Sequence, residues 1–379
     1  MTVHFGRLRA LIVKEFIQVL RDRITLAILI FMPVAQLLIF GFAINTDVKH
    51  LATAIFDQSR TQESREMINS FTASNYFDIK LYAKSIPEVN KAVESGSVKV
   101  GIVFPPDYAR KLHSERPAQI QVIVDATDNM SSSSALSAAQ TLGILKSQEV
   151  LADKFRRMGF DVPKQAIDMR IRPWYNPDFT TSWYIVPGIM GLLLSLTLIS
   201  MMSMAIVRES EQGTLEQLLV TPMCSWELLL SKILPYVIVG YIQVIVSIVV
   251  GIVVFGMPFL GSFTLFFFLT LFYVIANLAL GIMISTFAQN QMQALQLSVF
   301  VLLPSVLLSG FVFPIEAMPS GFRYLGECFP ITYYIRLSRT IILKGGGTEY
   351  VWKDAAALCV YIAVMFTTSI TMFKKRYVP

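Results

Sequence analysis

Charge is what this 379-residue sequence has least of. Asp, Glu, Lys and Arg make up 15% of it, against roughly 25% in soluble globular domains. That deficit excludes an ordinary water-soluble protein. Cysteine is scarce as well: Cys224, Cys328 and Cys359 fall in a polar connection, a loop and an apolar run, so no disulfide is expected. His4, His50 and His113 fit no metal-ligand spacing, which argues against zinc or haem. A G-x-x-x-x-G-K-[ST] stretch is missing, since Gly345–Gly347 lacks the following Lys-Ser/Thr, so no P-loop for nucleotide is expected. No Ser/His/Asp, Cys/His or carboxylate pair falls where catalysis at a membrane face would need it, and no catalytic residue is assigned.

What fills the chain instead is apolar. Residues 24–44 run 21 positions without a charge, about 31 Å as a helix and enough to cross a bilayer core. Residues 183–207 give a second run, and Ile233–Ile315 is free of charge for 83 residues, with breaks at GMPFLGS (256–262) and FAQNQMQ (287–293). The last run is 355–373. Six spans are expected, the last four within 226–373. The first is too long for a signal-peptide core and lacks an A-x-A-like site after it, so it reads as a permanent anchor.

Basic residues set the expected orientation. Arg7, Arg9, Lys14, Arg21 and Arg23 precede the first span, and Lys374, Lys375 and Arg376 sit in the tail 374–379. Both termini are therefore expected in the cytoplasm. The loop 316–354 is discordant, because it would lie outside yet holds Arg323, Arg336, Arg339, Lys344 and Lys353. The net charge of +6 is read as topology and contact with anionic lipid, not as a nucleic-acid partner.

Residues 1–23 carry an apolar stripe of Phe5, Leu8, Ile12, Phe16 and Val19, the pattern of an amphipathic helix on the cytoplasmic leaflet. Residues 45–182 alternate β-type runs (LATAIF, YFDIKLYA, VKVGIVF, AQIQVIVDA, AIDMRIRPW) with helical ones, which predicts an α/β domain with a mixed sheet. The Ser131–Ser134 run is expected to open its longest helix, with a serine as cap. Asp125 and Asp128 read as a solvated turn. Pro319, Pro330 and Gly345 punctuate 314–345 as two short re-entrant helices. Gly240, Ser247 and Gly251 would permit close helix approach.

No ionisable residue is expected inside the six spans, whose most polar members are Gln36, Gln243 and Asn277. Ion-coupled transporters carry such groups, so any uphill work needs energy from a partner. The connection 208–225 suggests where that partner binds. Arg208 and Glu209 end the second span, Gly213 can stop its helix, and Thr214-Leu215-Glu216-Gln217 is a capping box that starts another. Pro222 closes that helix about two turns later. Leu215, Leu218 and Leu219 make one apolar face, with Glu211 and Glu216 left exposed. This face fits a cleft on another protein; the alternative is a helix lying on the membrane with its leucines in lipid.

VRESEQGTLEQLLVTP (207–222) resembles the R-E-[RK]-E-x-G-T-x-E-x-L-x-x-x-P signature of ABC-2-type exporter permeases. FPPDYARKL (104–112) and SG-x-x-FP-x-x-x-MP (309–319) follow the same family's order, and the chain is similar in particular to bacterial multidrug-type permeases with a large external domain. The one departure is Ser210, where the family has Arg or Lys. The resemblance implies a polytopic α-helical membrane protein of six transmembrane helices, ABC-2 exporter type, with an inserted α/β periplasmic domain at 45–182. It implies that 208–222 docks on a separate ATP-binding subunit through Arg208, Glu209, Glu211, Gly213, Thr214, Leu215, Glu216, Leu218, Leu219 and Pro222. ATP and Mg would sit on that subunit, with no cofactor or metal on this chain. Further partners implied are a second permease copy, homodimeric or paralogous, and a periplasmic adaptor, in a bacterial inner membrane.

A drug-like amphipathic or hydrophobic substrate is expected along spans that lack charge, with Met190, Met201, Met202, Gln243 and Asn277 as pathway residues and Phe267 and Phe268 near them. Two rivals remain. A lipid or polysaccharide exporter would use the same fold, and a membrane-anchored binding or scaffold protein would act through 45–182.

Overall fold

The computed structural model describes residues 5–44, 48–114, 116–159, 173–213 and 225–377. It divides into two compact units, Met1–Ile44 with Arg172–Pro379, and Asn45–Ile171. The chain opens with α1 (Phe5–Arg21) and α2 (Arg23–Ala43), the second carrying Pro33 in its interior.

The Asn45–Ile171 unit runs β1 (Leu51–Asp57), α3 (Gln62–Ala73), β2 (Phe77–Tyr82), α4 (Ile86–Glu94), β3 (Val100–Phe104), α5 (Tyr108–His113), β4 (Gln121–Val124) and α6 (Asn129–Arg157). Its strands form one mixed sheet in the order β2-β1-β3-β4. β1 pairs in parallel with β2 (Leu51 opposite Phe77) and with β3 (Thr53 opposite Val100), while β3 and β4 are antiparallel. β3 is buried at every residue, as a central strand covered on both faces should be. Val100, Ile102 and Phe104 face a core shared with α3 and α6, and Ala54 faces α4 through Val89 and Ala92.

Two expectations change here. The cap of α6 is Asp128, which accepts from the Met130 N–H, whereas Ser132 and Ser133 lie inside the helix and return their hydroxyls to the Asn129 carbonyl. A carboxylate is the better acceptor for an unsatisfied N–H at a helix start. Asp125 binds Lys99 at 2.8 Å, and its carboxyl is held down to about 2 by the hydrogen bond from Lys99 and those from Thr127. Of the expected fifth strand, residues 166–172 lie outside the described residues.

The chain continues with α7 (Thr181–Glu211), α8 (Ser225–Val253), α9 (Phe263–Ser285), α10 (Gln291–Leu308), a 3-10 turn at Ile315–Ala317, α11 (Ser320–Glu327), α12 (Pro330–Lys344) and α13 (Thr348–Tyr377). Among the described residues five helices are long and apolar enough to cross a membrane: α7, α8 over Leu230–Val253, α9, α10, and α13 over Thr348–Met372. In α2 the apolar helical stretch so described is the shorter Phe31–Ala43. This is a helical membrane protein.

α7 is apolar around its whole circumference and is accordingly enclosed. Its Ile185, Leu198 and Met202 share one core with Leu37 of α2, Ile248 of α8, Tyr273 of α9, Tyr334 of α12 and Leu358 of α13. The helix runs past the expected end at 207, so that Arg208 and Glu209 are helical, and it stops at Gly213 with φ 67°. α12 starts on Pro330 and ends at Gly345 in the left-handed conformation, the pairing of terminators expected from the sequence.

The arginines of 316–354 are largely used inside the protein. Arg336 pairs with Asp354 at 2.9 Å. Arg339 lies 3.6 Å over the Tyr184 ring and donates to the Gly310 carbonyl at 3.3 Å.

α7 and α9 approach closely at Gly281, where an added Cβ would come within 2.9 Å of the Ile199 carbonyl oxygen. Backbone cannot yield as a flexible side chain does. Gly281→Leu should therefore cost at least about 1–3 kcal/mol by overpacking and lower the unfolding temperature of the purified protein. Gly321→Ala, where a Cβ meets nothing within 4 Å, is the control that should not; equal behaviour of the two would contradict this packing.

Candidate functional site: a buried ring of charges beside residues 214–224

α7 ends and α8 begins on either side of 214–224, and α1 packs against the root of α8. Where the three helices meet, four side chains close a ring of alternating sign. Lys232 Nζ lies 2.7 Å from Glu209 Oε1 and 3.3 Å from Glu15 Oε1. Lys14 Nζ lies 3.2 Å from each of the same two oxygens. The Lys232 side chain is 2% exposed and those of Glu15 and Glu209 are 7% and 6%, while Lys14 is 46% exposed and faces outward.

Every edge of the ring is attractive and the like charges sit across its diagonals. Taking these groups out of water costs several kcal/mol per ion, and only such short edges offset that. Burial alone would lower the Lys14 ammonium, but the carboxylates of Glu15 and Glu209 outweigh it and hold it above its ordinary value. The ring is neutral and joins three segments separated by up to 217 residues.

Three of its members were not assigned from the sequence. Glu15 did leave a signal, since it falls beside Leu8, Ile12 and Val19 on the apolar stripe of α1, where an unpaired acid would be costly. Lys232 is the last charge before the charge-free stretch. Glu209, expected to face a partner, is turned inward.

The other assigned docking residues are distributed as follows. Arg208 is exposed. Glu211 accepts from the backbone N–H of Gln291 at 3.1 Å and from its side-chain amide at 2.6 Å, placing a carboxylate at the start of α10, where the helix dipole favours one. Gly213 ends the described part of the loop. Thr214, Leu215, Glu216, Leu218, Leu219 and Pro222, with Cys224, lie outside the described residues.

The residues expected along a substrate path are mostly interior to this single chain. Met190, Met202, Gln243 and Asn277 are buried, and Met201 is half-buried. Asn277 accepts from Ser195 at 2.7 Å and donates to the Tyr273 carbonyl at 2.9 Å. The Tyr273 hydroxyl donates to the Gly191 carbonyl at 2.7 Å, and its ring stacks on Tyr334 at 4.0 Å. Gln243 accepts from Thr197 at 2.8 Å and donates to the Leu29 carbonyl at 3.0 Å, pinning α8 to α7 and α2. Both amides are thus engaged in holding helices together, and neither opens onto a passage here. Phe268 is exposed and Phe267 packs on Tyr241.

Lys232→Met would leave two buried carboxylates facing one half-exposed ammonium. It should destabilise the protein by on the order of 3–5 kcal/mol. Adding Glu209→Leu restores neutrality and should return a large part of that loss, read from unfolding temperatures in a double-mutant cycle. Two losses that simply add would show that the ring does not act as a unit.

Comparison with known proteins identifies the family. The family described as ABC-2 family transporter protein matches residues 23–371. The chain is similar to the probable multidrug ABC transporter permease YbhR of Escherichia coli (strain K12), 31% identical over 373 residues, 98% of this chain and 99% of that one. It is also similar to the probable multidrug ABC transporter permease YbhS of the same organism, 29% identical over 341 residues and 89% of each chain. A longer relative, ABC transporter G family member 20 of Dictyostelium discoideum, is 24% identical over 348 residues, 89% of this chain but 47% of that one. With the match running from α2 into α13, across the ring at Glu209 and Lys232 and the segment between them, the chain belongs to the ABC-2 family of transporter proteins.

Proposed function

We propose that this chain is the membrane-spanning subunit of an ATP-driven exporter in a bacterial inner membrane, with a separate ATP-binding subunit docking on 208–222. The observation that carries this reading is the charge ring at both roots of 214–224. A segment that only joined two spans would not need its roots locked to each other and to α1. A segment that receives a push does, because a hinge at either root would absorb the displacement before it reached the bundle.

In this reading α2, α7, α8, α9, α10 and α13 are the six spans, both termini are cytoplasmic, and the Asn45–Ile171 unit lies on the outer side. The internal engagement of Arg336 and Arg339 supports that orientation. Charges already paired or stacked within the protein weigh little in a rule that concerns free juxtamembrane lysines and arginines. Closure of the ATP-binding subunits would displace 214–222, and the interlocked helices would move together to open a path against a second permease copy, homodimeric or paralogous. ATP and Mg belong to the partner subunit, and this chain does no catalysis of its own. A periplasmic adaptor completes the expected assembly. The names of the Escherichia coli relatives favour a drug-like amphipathic or hydrophobic cargo over lipid or polysaccharide.

The test is co-purification. Tagged protein in mild detergent should retain an ATPase, and Leu218→Asp, while still folded, should lose it. Retention by Leu218→Asp, or no ATPase with the wild-type chain, would overturn the docking assignment.

A further inference from the structure

The Asn45–Ile171 unit contains a cleft of about 730 Å3 between α6 on one side and α3, α5 and β4 on the other. Its origin is in the sequence of α6. The first turns carry Ser131, Ser132, Ala135 and Ala138, small side chains that let the helix press onto the sheet. Beyond Leu142 no described α6 residue joins that core. The rest of the helix is nonetheless apolar toward the cleft, through Val150, Leu151 and Phe155, opposite a floor that includes the buried Met67, Phe71 and Tyr108. Apolar surface is thus prepared on both walls and left uncovered by the described chain.

The charged side chains of the cleft are of one sign. Arg116, Lys146 and Lys154 line it, and no Asp or Glu does among the described residues. Lys146 is already bound to Glu149 at 2.9 Å. Lys154 is different: its Nζ donates to the neutral carbonyl of Ser114 at 2.8 Å, reaching from α6 to the segment after α5, two residues from Arg116. Neither Lys154 nor Arg116 forms an ion pair among the described residues; Glu115 lies outside them. Small-molecule sites are concave, mostly apolar, about 300–1,000 Å3, and oriented by a few polar groups. This cleft has all four properties.

We propose that the cleft binds an amphiphile with an alkyl or aryl body and a single anionic head. The body lies against Phe71, Leu112, Val150 and Phe155, and the head sits at Lys154 and Arg116. The site goes beyond the docking reading and does not depend on it, since it needs neither the ATPase nor the 208–222 segment.

The experiment uses the full chain in lipid nanodiscs with a photoreactive diazirine analogue of hexadecanoic acid, labelled positions being mapped by mass spectrometry. Labelling should concentrate on the cleft walls, several-fold above the rest of the same unit. Gly143→Trp projects into the cleft from a position where a Cβ meets nothing within 4 Å. It should abolish cleft labelling while labelling of the spans is unchanged. Lys154→Gln, which leaves the cleft open, should reduce it several-fold, and an amine-headed analogue of the same chain should label the cleft several-fold less. Labelling no higher in the cleft than elsewhere, or unaffected by Gly143→Trp, would overturn the site. Equal labelling by the amine would overturn the anionic head. Retention of an ATPase by the same preparations is scored separately, so failure here leaves the docking reading standing, and the reverse.

Discussion

The arrangement of this protein depends on where its few charges can be buried. Two carboxylates and two ammoniums close a ring at the meeting of α1, α7 and α8, with one ammonium, Lys14, open to solvent. Buried ion pairs are poor sources of net stability, and apolar replacements of equal volume often do as well. What an apolar set would not do is fix a single geometry. Leucines can slide past one another by part of a turn at little cost, but a carboxylate displaced from its ammonium in a dry site cannot. The ring therefore sets the rotation of α1 about its axis and its level along α7 and α8.

Deeper in the bundle the same problem is solved with neutral groups. Ser195, Tyr273 and Asn277 satisfy one another and reach the Gly191 carbonyl, and Gln243 joins Thr197 to the backbone of α2. Polar groups without formal charge carry far smaller desolvation costs, yet they are directional, so they too specify rotation. Ionised contacts at the end of the bundle and neutral ones within it thus orient α2, α7, α8 and α9 against one another. Such a set can move as a body, as the push proposed at 214–224 would require. α13 is held differently: few of its residues are enclosed within this chain, and its outer face carries exposed Val360 and Val364.

How far this was legible depended on the kind of signal. Terminators such as Pro330 and Gly345 act locally, through φ and a missing N–H, and were readable from the sequence. So were the apolar runs, because length against bilayer thickness is a local property too. The alternation of strands and helices in 48–157 was visible, but the order β2-β1-β3-β4 was not, since it depends on which hydrogen-bonding edges meet. The faces of α7 and α9 were illegible for a different reason: a helix apolar all round has no periodicity to say which side meets a neighbouring helix and which meets lipid. The sequence therefore could not show that Asn277 and Met190, expected along a passage, are buried among helices in this chain. The burial of Glu209 was hidden by distance, its partners Lys14 and Lys232 being supplied by α1 and α8.

The inward turn of Glu209 changes how the loop can recognise a partner. Three acids in 208–222 suggested a docking surface held by ion pairs. Glu209 is committed to the ring and Glu211 to the first turn of α10, so two of the three acids are already engaged within the chain. Exposed ion pairs contribute about 0–1 kcal/mol each, too little for the force-bearing contact proposed for this segment. In the proposed docking, the apolar side chains Leu215, Leu218 and Leu219 would be the principal source of energy, at about 1.5–3 kcal/mol for each leucine fully buried. Ser210 fits the same logic. Flanked by two acids already bound within the chain, a residue without charge at that position forfeits little, and specificity in the proposed docking would rest on the leucine face.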